Sequence, residues 1–207
     1  MLRRRMAAVA GGRLPAAYQE VEWIGCSAGG PYINTGLYPT SEWKITGNFR
    51  MEAAPAYTAY IFGVKQGSNK VLEFYGNSNN LAYKNTSSGA SVLNCGSTDT
   101  SWHSFEAAEK TMKIDSTTYT SSSFGGITSI TNPLLLLGTF QASGAITGGN
   151  TGREIKEIFI ENENGVLVGD FVPCYRKSDN AIGMYDLVTN AFLGNSGSGS
   201  FTKGSNV

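Results

Sequence analysis

The sequence predicts an all-β protein, a two-sheet antiparallel β-sandwich with almost no helix. Only 15% of the 207 residues are charged, and 26 glycines with abundant Ser, Thr and Asn interrupt short apolar runs. Several runs place large apolar side chains on alternate positions, which is the period of a strand with one buried face. The chain is long enough for one sizeable core, and sandwich folds of this length are commonly single domains.

The stretch WHSFEAAEKTMKIDSTTY, residues 102–119, predicts the central hairpin of the fold. One strand is expected over 102–108 and its return over 111–114, with Asp115 ending the run. A Trp-His-x-Phe strand followed by an apolar-x-apolar-Asp return resembles the core hairpin of laminin-G and concanavalin-A-like domains, which are two-sheet jelly rolls. The resemblance implies that this hairpin contributes structural core residues, namely Trp102, His103, Phe105 and Ile114.

Alternation and turn signals predict the other strands. These are 43–52, 59–64, a hairpin of 70–75 and 80–83, a pair at 155–161 and 166–172, and two short strands at 181–186 and 191–193. The run NPLLLLGTF, residues 132–140, is apolar throughout and too short for a typical helix. It predicts one continuous strand, buried on both faces or with one side against a partner.

The first thirteen residues form a basic arm before a sandwich domain over 14–207. The arm holds four of the sixteen basic residues and no acidic residue, so the rest of the chain carries a net charge of −4. We expect the arm to lie along a neighbouring subunit, where arginines meet carboxylates and apolar side chains are buried. The residues expected to make this contact are Leu2, Arg3, Arg4, Arg5, Met6 and Val9. Consecutive arginines without interleaved aromatic residues favour this docking over a nucleic-acid partner.

Two further features concern the ends of the chain. Residues 194–207 are rich in Gly and Ser, which predicts a flexible tail. The apolar part of the N-terminus, residues 6–10, is shorter than the roughly seven to fifteen residues of a signal peptide. No apolar run approaches the roughly 20 residues of a membrane span. The sequence therefore predicts neither secretion by this route nor a membrane partner.

Cys26, Cys95 and Cys174 are an odd number and lie far apart in sequence. A zinc site or a redox pair requires short spacings, so neither is predicted. Three buried thiols in a protein assembled in a reducing compartment are expected instead.

No catalytic constellation is recognisable. The single histidine, His103, lies between core aromatics, and no nucleophile elbow or dinucleotide-binding motif is present. Glycosidases with a similar jelly roll place their carboxylates about 5 Å apart on one face. Glu154 and Glu157 are three residues apart, which on a regular strand places them on opposite faces. We therefore predict no enzymatic activity, no cofactor and no metal.

Sugar binding stays open as an alternative. Exposed aromatic rings stack on sugars and amide side chains bond hydroxyls. The candidate residues are Tyr57, Tyr60, Tyr75, Tyr83 and the cluster Asn77–Asn80.

Two blocks carry the most specific resemblance. LPAAYQEVEWI with PYINTG near the start, and FVPCYRKSD with IGMYDLVTNAF near the end, resemble a large group of uncharacterised proteins of gut bacteria and their phages. In that group the first block begins a concanavalin-A-like domain. Asn34 replaces the usual Asp of the first block, which removes a carboxylate that calcium could use.

The resemblance implies a non-enzymatic bacteriophage virion protein: a capsid decoration, head-fibre or tail-associated component. Its expected partners are other virion proteins, further copies of itself and host-surface glycans. Its expected location is the virion, assembled in the host cytoplasm. The alternative is a carbohydrate-binding adhesin module of a bacterial or phage surface protein.

Overall fold

The computed structural model describes residues 12–26, 30–51, 55, 58–89, 91–147 and 152–207. These residues form strands, turns and loops, and no helix occurs among them. In chain order the strands are β1 (Tyr18–Glu20), β2 (Ile24–Cys26), β3 (Ile33–Asn34), β4 (Lys44–Met51), β5 (Ala59–Gln66), β6 (Lys70–Asn77), β7 (Asn80–Thr86), β8 (Leu93–Ser97), β9 (His103–Ala107), β10 (Thr111–Ile114), β11 (Thr117–Thr120), β12 (Leu135–Leu136), β13 (Thr139–Phe140), β14 (Ile146–Thr147), β15 (Arg153–Glu161), β16 (Leu167–Arg176), β17 (Ile182–Asp186), β18 (Ala191–Gly194) and β19 (Thr202–Lys203).

Two antiparallel sheets pack face to face, so the predicted β-sandwich of jelly-roll type is confirmed. The large sheet has the order β11-β10-β9-β4-β15-β16-β17-β18, with β1 beside β16, and β2 beside β15 and β19. The small sheet has the order β3-β12-β5-β6-β7-β8. We call the side of each sheet that faces away from the other sheet its outer face.

The core between the sheets is centred on aromatic rings from both. Phe49 of the large sheet meets Phe74 of the small sheet edge to face, with ring centroids 5.0 Å apart. Phe105 contacts Phe62 and Phe74 at 5.8 and 5.4 Å. Such edge-on and tilted pairs add to the free energy gained by burying the rings. The alternating apolar positions of β4, β5, β6 and β9 therefore supply the interior of the sandwich.

The central hairpin forms as predicted, with Met112 opposite Ala107 and Ile114 opposite Phe105. Phe105 and Ile114 belong to the buried core cluster. Trp102 and His103 do not, which corrects the expectation for both. Trp102 precedes β9 and contacts cations on the outer face, whereas His103 lies at the edge of the core with its ring 5.5 Å from that of Phe49.

Residues 132–140 form two short strands, β12 and β13, and the prediction of one continuous strand is wrong. Leu137 has a φ of 60°, a left-handed conformation that ends β12. The chain then crosses onto the outer face of the small sheet, where a Cβ at Gly63 would lie 2.5 Å from Thr139 Cβ. Leu134, Leu135, Leu136 and Leu137 are fully buried, and Gly63 provides the space for the close approach of β13.

The C-terminal segment 194–207 is part of the sandwich, which corrects the expectation of a flexible tail. β19 pairs with β2, and the Val207 N–H donates to Glu20 O at 3.1 Å. Phe201 is 6% exposed. These backbone hydrogen bonds and one buried ring anchor a segment whose composition is mostly Gly and Ser.

Strand β15 contains a β-bulge that corrects the expectation for its glutamates. Ile155 pairs with Phe49 and Ile158 with Gly47, so one residue of β4 faces two residues of β15. Ile155, Ile158 and Ile160 all point into the core. Because the bulge inserts one residue, Glu154, Glu157 and Glu161 all lie on the outer face of the large sheet.

All three cysteines are free and buried, as predicted. Burial raises the pKa of Cys95 and of Cys174 to about 12, so these thiols are weak nucleophiles at neutral pH. Within the described ranges, no helix is long and apolar enough to cross a membrane. The same residues contain no group of three or more His, Cys, Asp or Glu side chains that could hold a metal ion.

Candidate binding site

The two sequence blocks that carry the resemblance meet in the structure. β1, from the first block, pairs with β16, from the second, with Tyr18 opposite Arg176 and Glu20 opposite Cys174. Partners in register share a face of the sheet, and these lie on the outer face. Segments more than 150 residues apart in sequence thus build one surface of the large sheet.

Phe192 of β18 lies across the strands at this surface. Its ring stacks on Tyr18 with centroids 5.4 Å apart, and the Arg176 guanidinium lies 5.2 Å from its centroid. A Cβ at Gly183 would lie 2.9 Å from Phe192 Cζ and closer still to Leu193 O. Gly183 therefore provides the space in which the ring lies against the sheet.

An open recess of about 590 Å³ adjoins this ring. It lies between the turn that follows β16 and the loop that follows β18. Its apolar lining comes from Ile182, Phe192 and Phe201. Its polar lining comes from Arg176, Asn180, Asn195 and Ser200.

The turn on one side of the recess is held by Asp179. Arg176 donates from Nε and Nη2 to its two carboxylate oxygens at 3.0 and 2.6 Å, and the Ala181 N–H donates to Oδ1 at 3.2 Å. The hydrogen bonds from Arg176 and Ala181 lower the pKa of Asp179 to about 2. Asn180 occupies the left-handed region with a φ of 56°. The backbone and the guanidinium are therefore positioned before any ligand arrives.

The loop on the other side is held by Asn195. Its Oδ1 accepts from the N–H groups of Tyr32 and Gly197 at 3.3 and 2.8 Å, and its Nδ2 donates to Gly199 O at 2.9 Å. The Asn195 amide is used in shaping the loop, which leaves Asn180 and Ser200 as the amide and hydroxyl available to a ligand.

A second group of aromatic and cationic side chains lies elsewhere on the outer face of the large sheet. We call Trp23, Arg50, Trp102, Glu154 and Lys156 the tryptophan cluster. Lys156 Nζ is 4.4 Å from the Trp102 ring centroid, and the Arg50 guanidinium is 5.0 Å from it. Arg50 also donates from Nε to Glu154 at 2.6 Å. Among the described residues, two cations lie against Trp102, one more than at Phe192.

Carboxylates on the outer face are paired with cations of the same chain. Arg13 bonds both Glu20 and Glu157, and Lys44 bonds Glu161. Asp170 lies nearby, and burial together with the charge of Glu157 raises its pKa to about 6. The arm residues Leu2, Arg3, Arg4, Arg5, Met6 and Val9 lie outside the described residues, so their expected contact stays a prediction.

His103 bridges two carboxylates. Its Nδ1 is 2.7 Å from Asp115 Oδ2 and its Nε2 is 2.9 Å from Asp99 Oδ1. Burial opposes protonation, but hydrogen bonds to the two carboxylates raise the pKa of His103 above its ordinary value. The ion pairs fasten the loop before β9 to the turn after β10, which is a structural task.

The tyrosines proposed for sugar binding do not come together. Tyr60 and Tyr75 pair on the outer face of the small sheet with centroids 5.6 Å apart, and neither lines the recess. Tyr83 is fully buried and donates to Ala108 O at 2.8 Å. Asn77 and Asn80 flank the β6–β7 turn, and Tyr57 lies outside the described residues.

Sequence reasoning missed Arg176, Asn180, Phe192 and Ser200 as a group. The available signal was the second block of the sequence analysis, which contains Arg176 and Phe192 and leaves Asn180 between its two phrases. A scan against models of protein families found no match, and a search of curated proteins found no relative.

Proposed function

We propose that the protein is a non-enzymatic structural component of a bacteriophage virion, a capsid decoration, head-fibre or tail-associated protein that attaches to other virion proteins and to host-surface glycans. The observation that carries the proposal is the meeting of the two resemblance blocks on one outer surface. Tyr18 of the first block stacks on Phe192 of the second, and Arg176 and Phe192 of the second block line an open recess at that surface.

The charges of the outer face support a role without catalysis. Glu154, Glu157 and Glu161 share one face, as the carboxylates of a glycosidase do, but each is paired with a cation of this chain. A retaining glycosidase needs one carboxylate free to attack and one held as an acid. The pairs instead tie neighbouring strands and the N-terminal segment to β15.

Mass spectrometry of purified particles tests the virion role. Particles of a phage that encodes the protein should contain it in many copies, in fixed ratio to the major capsid or tail protein, after washing in high salt. A protein found only in the lysate and never on particles would contradict the proposal.

Deletion of residues from the arm tests how the protein attaches to the particle. A variant lacking residues 1–11 keeps Arg13 and its bonds to Glu20 and Glu157, so the sandwich should fold and stay soluble. We expect this variant to lose incorporation into particles. Incorporation at the wild-type level would show that attachment does not use Leu2, Arg3, Arg4, Arg5, Met6 and Val9.

A carbohydrate-binding adhesin is the second candidate function. The open recess beside Phe192 favours it, since aromatic rings and amides are the groups that bind sugars. Saturable binding to a glycan array by a protein absent from particles would select this function over the virion role.

A further inference from the structure

We propose that the recess binds one pyranose ring of a neutral sugar, placed against Phe192 and bonded at its hydroxyl groups by Asn180, Arg176 and Ser200. The inference rests on the glycan-binding part of the proposed function and adds the site, the ligand class and the residues.

The recess has the size and apolar surface for a sugar ring. Its volume of about 590 Å³ lies within the range of roughly 300 to 1,000 Å³ found for small-molecule sites. Phe192 is half-buried, because Tyr18 stacks on its ring and the Arg176 guanidinium lies 5.2 Å from its centroid, and the part of the ring that stays accessible borders the recess. Phe201 is almost fully buried. The C–H groups of a pyranose would pack against the accessible part of Phe192 while its hydroxyls point to the rim.

The rim offers hydrogen-bonding groups that the protein itself does not use. Within the described chain, the Asn180 carboxamide and the Ser200 hydroxyl make no hydrogen bond, and both side chains are exposed. Arg176 engages Asp179 through Nε and Nη2, which leaves Nη1 to donate to a ligand. One amide, one guanidinium nitrogen and one hydroxyl supply both donors and acceptors, as sugar hydroxyls require.

The charge of the recess selects a neutral ligand. Among the described residues that line it, Arg176 alone is charged, and Asp179 already holds it in a bidentate pair. A carboxylate sugar would compete with Asp179 for the same guanidinium and would meet a second negative charge beside it. A neutral sugar accepts from Nη1 without disturbing the pair.

The walls of the recess are ordered in advance. Asp179 fixes the turn that carries Asn180, and Asn195 fixes the loop that carries Ser200. A preformed site has little conformational entropy to lose on binding. Little of the binding free energy for one sugar ring is therefore needed to order the loops.

A glycan array gives the first test. The full-length protein is applied to an array that carries glucose, galactose, mannose and N-acetylglucosamine termini beside sialic acid and uronic acid termini. We expect saturable binding to at least one neutral terminus and none to the acidic ones. Absence of neutral hits, or hits confined to acidic sugars, would overturn the proposal.

A pair of matched variants locates the bound sugar. The affinity of each variant for the neutral sugar that binds most strongly on the array is measured by isothermal titration calorimetry. Asn180→Gly keeps the left-handed backbone and should weaken binding about tenfold through loss of the amide. Asn190→Gly is the control, because Asn190 is also exposed with a φ of 56° but does not line the recess. Its affinity should equal that of the wild type.

Phe192→Leu provides an independent variant, expected to weaken binding about tenfold or more through loss of the aromatic surface. If this variant does not fold, the affinity of Asn180→Gly decides whether the sugar lies in the recess. Wild-type affinity in Asn180→Gly would place the sugar elsewhere and overturn the site while leaving glycan binding intact. The particle inventory described above reports on the virion role independently of every one of these outcomes.

Discussion

The tryptophan cluster and the recess are built from the same kinds of side chain and differ in what covers the rings. In the cluster, Arg50 and Lys156 both lie against Trp102, and Glu154 neutralises Arg50. In the recess, Tyr18 stacks on Phe192 and the Arg176 guanidinium lies 5.2 Å from its centroid, but open volume remains beside the ring. Aromatic and cationic residues together therefore do not define a ligand site. We infer that the space left at the ring decides whether such a group can bind a ligand or only holds strands together.

The largest expected effect is on stability and comes from substituting Gly183, the glycine beneath the Phe192 ring. Gly183→Ala places a Cβ against Leu193 O and Phe192, and should lower the free energy of unfolding by about 2–4 kcal/mol. Gly194→Ala is the matched control, because its Cβ would meet only Phe192 Cε1 at an ordinary 3.5 Å. Urea unfolding measures both. Equal stabilities of the two variants would show that the ring does not need the space at Gly183.

The next prediction separates the two regions by function. Trp102→Leu should lower the free energy of unfolding by about 1–2 kcal/mol, because it removes two cation–π contacts and some packing. The same variant should bind sugar like the wild type, whereas Phe192→Leu should lose sugar affinity. Loss of sugar binding in a correctly folded Trp102→Leu variant would make the tryptophan cluster part of the sugar site and would contradict the functional difference between the two regions.

The prediction of the fold from sequence succeeded where alternation is regular, as in the hairpin that carries Phe105 and Ile114. It failed at β15, because one inserted residue reverses which side chains face out. The local sign of the insertion is the spacing of three residues between the core isoleucines Ile155 and Ile158. It also failed to find the recess. That site depends on β1 pairing with β16, a long-range contact that no local pattern encodes, and on the space at Gly183 beneath Phe192.

His103 yields a smaller, pH-dependent effect at the far side of the large sheet. Its pKa is raised in the folded protein, so its contribution to stability is fully present below its unfolded pKa of about 6.5 and is lost as the pH rises through the folded value. His103→Gln should therefore cost about 1 kcal/mol at pH 5.5 and less at pH 8.5. Thermal unfolding at the two pH values measures the difference. A larger cost at pH 8.5 would contradict the ion-pair account.

The smallest effect concerns Arg13. Its ion pairs with Glu20 and Glu157 are partly exposed, so Arg13→Ala should lower the free energy of unfolding by less than about 1 kcal/mol, and less again in high salt. The clearer readout is the pKa of Asp170. Burial and the charge of Glu157 raise it to about 6, and the positive charge of Arg13 offsets part of that rise. Carbon-detected nuclear magnetic resonance should show this pKa rising in the variant. An unchanged value would mean that the Arg13 charge does not reach Asp170.

The pairing of β19 with β2 has a consequence for the order in which the protein forms. Thr202 and Lys203 lie opposite Gly25 and Ile24, so one edge of the large sheet joins residues more than 170 positions apart in the sequence. Contacts across so long a span form slowly, since the entropy of closing the loop must be overcome before the pairing stabilises it. During synthesis one side of the β2 backbone stays unpaired until the residues of β19 have been added.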